Sequence, residues 1–498
     1  MTRPSSGKAW GLLVFWGVAF VLSFLNLTGF LMNDDEGTYL YAAWRVGLGE
    51  VPYRDFTLVQ TPLSFYLGAA AFRIFGPAVW PARALAVLFM LGAAGLIFLT
   101  ARRYLKLKTG FALASAGVFL FNKHVFFLGR AFMPDIPMVF FGVAALFFAL
   151  RAEETDADGR RAQKAALLAG MTAGLSALAK LNGILVLAGY LAYLAIEAVR
   201  RRQTGKTAAV KAACAAAGFA ISFGVPFALF LVFVPGTYDS LIGFHAAKEA
   251  AAGFTYLTLV VQRLVTLIGN HNYGLAAGAL AALFFGRARE NGADHGGRSR
   301  VNALLWTFAA ATLVLVFLPS RFFIRYAVFA AAPLALLFGA GVEALAGRKS
   351  VGRIALPALA VLVLLCLGPT LSPQKILAGD EGTRAAAAFV RENTKPGEYV
   401  FGDEPFLNFL AQRPCPPRLV DVSEAMVTSG RITAADIIAD CDRLPVKLVF
   451  IETGASAHHL VKLTDYPRLR NYLLDRYRPA AEIRREFLNV EFFLRTGD

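Results

Sequence analysis

The chain has 498 residues, of which 57% are hydrophobic and 17% charged. A soluble chain carries about 25% charged residues, so much of this one is built to meet something other than water. The net charge of +16 does not mark a nucleic-acid binder, because the basic residues fall in short clusters between apolar runs.

Eleven apolar runs of spanning or near-spanning length follow one another. They are Trp10–Leu31, Trp80–Leu99, Phe111–Leu128, Ile136–Leu150, Ala165–Ala179, Gly183–Ala198, Ala212–Val234, Tyr273–Gly286, Val301–Leu318, Ile324–Leu345 and Ile354–Pro369. The pattern predicts a polytopic α-helical membrane protein with about eleven transmembrane helices, some shorter than the ~20 residues of a perpendicular span. The first run is too long for a signal-peptide core and lacks a small-residue cleavage site, so it is expected to remain as a span. Basic clusters such as Arg102-Arg103, Arg160-Arg161, Arg200-Arg201-Arg202 and Arg348-Lys349 occupy every alternate loop. By the positive-inside rule those loops are cytoplasmic, which puts the N-terminus inside and the C-terminal segment outside. The run Phe254–Gly269 carries Gln262 and Arg263 mid-run and would break the alternation, so it reads as an interfacial or re-entrant helix.

Residues 1–370 are therefore expected to form a membrane domain and residues 371–498 a soluble extracytoplasmic domain. Within the first, the outer loop 32–79 holds an amphipathic stretch Tyr39–Leu48 and a helical stretch Pro62–Phe75. Their aromatics Tyr39, Tyr41, Trp44, Phe65, Tyr66, Phe72 and Phe75 suit helices lying in the headgroup plane. In the second, the runs Tyr399–Phe401, Lys447–Ile451 and Val490–Leu494 have strand length. They alternate with the helical patterns Thr383–Asn393, Thr433–Cys441 and Tyr466–Tyr477, which suggests a small α/β domain. Cys415 and Cys441 lie there and are the two that could pair in an oxidising compartment.

Ionisable residues at the ends of spans are the functional candidates of a membrane protein. On the outer face these are Asp34, Asp35 and Glu36 after the first span, then Lys123, His124, Arg130 and Asp135 between the third and fourth. Lys180 and Asn182 turn between the fifth and sixth, and Arg321 and Arg325, followed by Tyr326, stand between the ninth and tenth. The carboxylates in the first loop also suit a helix N-cap, and Arg130 and Lys123 also suit snorkelling to headgroups. Cations at a membrane boundary neutralise phosphate, and a carboxylate beside them can take a proton from a nucleophile. Sugar transfer from a lipid phosphate uses both, since the leaving phosphate is already a stable anion and needs no general acid. The histidines show no metal-ligand spacing, so no metal site is expected.

These residues resemble a known family, the GT-C superfamily of polyprenyl-phosphate-sugar-dependent glycosyltransferases. The likeness is to the group with the bacterial lipid A aminoarabinose transferase and the protein O-mannosyltransferases. Asp35-Glu36-Gly37-Thr38-Tyr39 matches that family's acidic motif after the first span. Val51-Pro52-Tyr53-Arg54-Asp55 with Thr61-Pro62-Leu63 matches its next block, and Arg83-Ala84-Leu85 opens the second span. Asp135 falls at the second acidic position, Gly174–Lys180 at the Gly-rich span ending in Lys, and Arg325-Tyr326 through Pro333-Leu334 at a late-span pattern. Thr61 departs from relatives that carry Lys there.

The resemblance implies a GT-C-like fold and an enzyme of the inner (plasma) membrane of a bacterium. It implies a catalytic Asp35 supported by Glu36, and contacts to donor phosphate or substrate from Lys180, Arg130, Asp135, Arg325 and Tyr326. The implied partners are a polyprenyl-phosphate sugar, membrane lipids and a glycan, lipid or protein acceptor, with no nucleic acid. No cofactor is implied, the lipid-linked sugar being a substrate, and a role for a divalent ion stays open. A transporter or flippase of a lipid-linked sugar is the alternative; it calls for ionisable residues at mid-membrane and repeat symmetry.

Overall fold

The computed structural model describes residues 6–29, 35–154, 159–200, 203–246, 256–267, 273–285, 295–317, 324–371, 381–454, 457, 459–485 and 488–496. Its first part is a bundle of apolar helices. α1 (Ser6–Phe24) leads to two loop helices, α2 (Asp35–Gly47) and α3 (Leu63–Phe75). There follow α4 (Val79–Arg103), α5 (Thr109–Leu120), α6 (Lys123–Gly129), α7 (Asp135–Glu154), α8 (Gly159–Ala179) and α9 (Ile184–Val199). The bundle continues with α10 (Gly205–Phe219), α11 (Val225–Phe233), α12 (Tyr256–Leu267), α13 (Tyr273–Phe285), α14 (His295–Phe317), α15 (Ala327–Ala346) and α16 (Lys349–Thr370).

Five of the described helical segments are long and apolar enough to cross a membrane: Val79–Arg103, Asp135–Glu154, Leu181–Val199, Gly205–Phe233 and Ala327–Ala346. A sixth is added if α5 and α6, bent by 66° at their junction, count as one span. The sequence reads residues 111–128 as one straight run; the Asn122 side chain instead accepts hydrogen bonds from the backbone N–H groups of His124 and Val125, capping a new helix. Segment Gly205–Phe233 stays continuous through a π turn at Ala220–Gly224, just before Pro226, whose missing N–H cannot feed a regular ladder.

The second part carries α17 (Glu381–Asn393), β1 (Tyr399–Gly402), α18 (Phe406–Ala411), α19 (Glu424–Thr428), α20 (Ala434–Arg443), β2 (Val446–Thr453), α21 (Tyr466–Arg476), β3 (Tyr477–Arg484) and β4 (Asn489–Arg495). The strands form one sheet in the order β1-β2-β4-β3. β1 and β2 are parallel, whereas β4 pairs antiparallel with both β2 and β3. The apolar runs of β2 and β4 take the interior of the sheet, and the charged β3 takes its edge, where exposed side chains discourage further pairing. A capping box between Thr433 and Asp436 starts α20. Cys415 and Cys441 are both buried free thiols and do not pair.

The loop helices turn most of their aromatics inward. Tyr39, Tyr41, Trp44, Phe65 and Phe72 are buried, and Tyr66 and Phe75 are exposed. The reason is the second domain, which sits on them. Phe72 stacks on Phe409 with centroids 5.5 Å apart, and the Tyr41 hydroxyl accepts the Cys415 backbone N–H at 2.8 Å. The Thr57 backbone N–H donates to the Pro417 carbonyl at 2.9 Å. A single apolar core therefore runs from the bundle through α2 and α3 into the C-terminal domain.

Candidate active site

The site lies where α2, the α6–α7 turn, the α8–α9 turn and the start of α15 meet below the C-terminal domain. Asp35 opens α2 and forms an ion pair with Arg325, which stands in the short turn Ile324–Tyr326 before α15. Asp135 opens α7, and its Oδ1 accepts the Lys180 ammonium at 2.7 Å with both side chains buried. The two pairs act on each other, since Asp35 and Arg325 are both charged neighbours of Lys180, and Asp135 is one of Arg325. The Tyr326 ring completes the group, with the Lys180 ammonium 6.0 Å from its centroid. Asp135 Oδ2 is buried with no hydrogen-bond partner among the described residues.

Local chain geometry puts Lys180 there. α8 stops at Ala179, Lys180 is extended, and a single 3-10 turn, Leu181–Gly183, leads straight into α9. Gly183 passes so close to α8 that a Cβ on it would lie 2.3 Å from the Ser176 carbonyl carbon, which only glycine tolerates. Thr61 is buried and donates to the Ala177 carbonyl at 3.1 Å, and Ser64 to the Ala179 carbonyl at 3.5 Å. Thr61 and Ser64 thus tie the first loop to the helix end that carries Lys180.

Glu36 faces other partners than Asp35. Its carboxylate takes a two-pronged ion pair from Arg83 at 2.8 and 2.7 Å and the Phe132 backbone N–H at 2.7 Å, all buried. Arg83 also donates to the Leu27 and Gly29 carbonyls. Arg130 is buried beside this pair, donating to the Leu25 carbonyl and lying over the Phe126 ring. Its Nε and Nη1 have no hydrogen-bond partner among the described residues. Asp34, Arg321 and His271 lie outside the described residues.

Burial alone would raise the Asp35 carboxyl; Arg325, with Lys180 and His459 adding to it, outweighs burial and holds it below the usual carboxylate range. Asp35 is therefore held as a charged carboxylate, paired with Arg325. Burial and the charge of Asp35, one turn away, raise the Tyr39 phenol well above its ordinary value, so it stays protonated.

The sequence reading missed the contribution of the C-terminal domain. Glu404 and Phe406 press onto Gly37, where a Cβ would meet Phe406 Cβ at 2.5 Å and Glu404 Oε2 at 2.7 Å. His459 and Asp421 reach Asp35 electrostatically. Asp403, Glu452 and His459 also gather, each with a ligand atom within 4.8 Å of the others. They could hold a cation only in competition, because Arg485 donates to Glu452 at 2.8 Å. The Asp403 carboxylate already accepts the Glu452 and Leu460 backbone N–H groups at 2.7 and 2.9 Å. No spacing in the sequence signals this group, since its members come from three separate segments.

Residues 59–230 match the family described as dolichyl-phosphate-mannose-protein mannosyltransferase. No curated protein matches the sequence. Among solved structures, the chain is similar to ArnT from Cupriavidus metallidurans bound to undecaprenyl phosphate. The two share 17% identity over 98% of each chain, with a TM-score of 0.69. It is also similar to the oligosaccharyltransferase AglB from Archaeoglobus fulgidus, at 16% identity over 90% of this chain and 70% of that one, with a TM-score of 0.56. Fold and family match agree: the chain has the fold of these membrane glycosyltransferases and resembles the aminoarabinose-transferase and protein O-mannosyltransferase group.

Proposed function

We propose that the chain moves a sugar from a polyprenyl-phosphate donor to an acceptor hydroxyl or amine at the outer face of the bacterial inner membrane, with inversion at the anomeric carbon. The observation that carries this reading is the pairing of a charged Asp35 with Arg325 beside the Lys180–Asp135 pair. That arrangement puts a proton acceptor next to two cations suited to phosphate.

In this mechanism the acceptor atom attacks the anomeric carbon as Asp35 takes its proton. The bond from sugar to phosphate breaks, and the charge left on the phosphate oxygen is met by Lys180 and Arg325. One base suffices, unlike the two carboxylates of a glycoside hydrolase. Asp135 aims Lys180, Tyr326 flanks it, and Arg130 adds a third cation, buried beside Arg83. Glu36 acts through Arg83, fixing the first turn of α2 so that Asp35 keeps its place. The positive-inside pattern supports an inside N-terminus and an outer C-terminal domain.

The test is to incubate the purified protein with radiolabelled polyprenyl-phosphate pentoses and hexoses together with native membranes, then to identify the labelled product by mass spectrometry. Covalent transfer from one donor is expected. Movement of donor across the bilayer with no sugar transferred would sink the reading in favour of a flippase.

A further inference from the structure

Pro333 stands inside α15, where it has no N–H to give the Phe329 carbonyl one turn earlier. Sharp bends in helices fall at such gaps in the ladder. The two halves of α15 on either side of it are packed differently. After Pro333 the helix is held at backbone distance. A Cβ on Gly339 would overlap Ser115 Oγ and lie 2.9 Å from the Phe111 carbonyl oxygen of α5, and one on Gly341 would overlap the Gly278 carbonyl oxygen of α13. Before Pro333 the helix borders a cavity, lined by Val139 and Gly142 of α7, Val186 of α9, Thr312 of α14, and Phe329 and Pro333 themselves.

The cavity begins one turn below the charged group. Val139 is four positions after Asp135 on one face of α7, and Phe329 is four after Arg325. Its volume is about 20 Å³, room for a water-sized group such as a methyl and not for a sugar or an isoprene unit. The Thr312 hydroxyl is already bonded to the Phe308 and Ala309 carbonyls of its own helix, so the lining offers a polar ligand nothing. What it offers is room to move. Because α7, α9 and α14 line it and α2 does not, rocking the first turns of α15 into it takes Arg325 off Asp35 and toward Lys180, which precedes α9. Phe329 lies about 6 Å and Arg325 about 12 Å from Pro333 along the helix, so about 1 Å at Phe329 becomes about 2 Å at Arg325. Ion pairs exchange partners over helix shifts of that size.

We propose that Pro333 is a hinge and the cavity its clearance, so that the donor phosphate draws the first turns of α15 inward and brings Arg325 and Tyr326 onto itself beside Lys180. Pro333 is a positioning residue that acts through Arg325. The proposal rests on the transferase reading above and adds no covalent step to it.

The experiment uses the full chain in nanodiscs, with polyprenyl-phosphate pentoses and hexoses as donors and native membranes as the acceptor source. Pro333→Ala restores the ladder bond. Its donor KM is expected to rise about tenfold, the effect of one lost charge-assisted hydrogen bond, while its melting temperature equals or exceeds that of wild type. Gly142→Ala, whose new Cβ would lie 3.3 Å from Val186 Cγ2, and Thr312→Ile fill the cavity from two sides and should raise the donor KM likewise; if one does not fold, the other carries the comparison. Pro333→Gly keeps the helix soft at that point and should restore most of the donor affinity. Polyprenyl phosphate alone should shift the fluorine NMR signal of a fluorophenylalanine placed at Phe329, and leave it in place when Pro333→Ala is added. An unchanged donor KM in Pro333→Ala, a glycine variant as impaired as the alanine one, or a fluorine signal that polyprenyl phosphate does not move overturns the hinge. So does a melting temperature that falls in step with donor affinity in every variant, which shows lost packing alone. Wild-type protein that transfers sugar from no donor, whatever the signal does, overturns the transferase reading itself.

Discussion

Asp35 and Arg325 stand 290 positions apart in the chain and meet as an ion pair at the end of the bundle covered by the C-terminal domain. Every proposed step of the chemistry passes through one of them, so they are the first place to test it.

Replacing the base by its isosteric amide removes proton acceptance with little change in shape. Asp35→Asn is expected to lower transfer by about 10²–10⁴-fold, the usual contribution of a positioned base. Expression and membrane insertion should stay close to wild type, with a lower melting temperature because Arg325 loses its charged partner. Near-normal transfer by this variant in the radiolabelled-donor assay would remove Asp35 from the mechanism.

Arg325 also sets the titration of Asp35. Burial raises that carboxyl and Arg325 lowers it, so Arg325→Gln leaves burial in command and moves its pKa upward. The base works only when deprotonated, so the acid limb of the kcat/KM profile should shift to higher pH, alongside a raised donor KM. The stability sign follows the same logic. A depressed carboxyl contributes stability that is present above its unfolded pKa and lost as pH falls through the folded value, and Arg325→Gln should shrink that contribution. An acid limb that stays in place contradicts the electrostatic role of Arg325.

The Glu36–Arg83 pair is wholly buried, and removing one partner strands the other. Arg83→Met should therefore destabilise the protein by about 3–5 kcal/mol. Thermal unfolding in detergent measures it, and replacing Glu36 and Arg83 together by apolar residues should recover part of the loss. A melting curve that overlays wild type would show that the pair carries no such weight.

Gly37 is the close approach between α2 and the C-terminal domain. In Gly37→Ala the new Cβ would fall 2.5 Å from Phe406 Cβ, a contact that must be relieved by pushing the domain away. The expected cost is about 1–3 kcal/mol, the range for overpacking a tight site. Faster release of the C-terminal domain in limited proteolysis reports it; an unchanged digestion time course argues that the interface is slack there.

Cys415 and Cys441 give an independent check of the domain core. Burial pushes the Cys441 thiol up to about 12 and the Cys415 thiol well above its ordinary value. Thiolate is the reactive form, so both should resist maleimide in the folded protein and react on unfolding. Rapid labelling of either in native conditions contradicts the packing described.

Much of this was legible in the residues. Asp35, Asp135, Lys180 and Arg325 could be found because charges at the ends of apolar runs are conspicuous. The strands Tyr399–Gly402, Val446–Thr453 and Asn489–Arg495 showed as short apolar runs, but the charged edge strand Tyr477–Arg484 did not. Long-range pairings were out of reach. Nothing in the sequence around Arg83 marks it as the partner of Glu36, and nothing places Asp421 or His459 near α2, because such contacts depend on how the bundle closes and where the second domain sits. Five of the seven first-loop aromatics are buried against protein for the same reason: an apolar face prefers a protein partner as readily as a lipid headgroup layer.

The ion pair between Asp35 and Arg325 has a kinetic consequence on the proposed assignment. A base whose charge is clamped by the guanidinium meant for the donor is masked while the enzyme stands empty. An arriving phosphate competes for Arg325 and uncovers the carboxylate in the same event. The interlock dictates a compulsory order, donor before acceptor, and it keeps water from being activated in an enzyme that has no sugar to transfer.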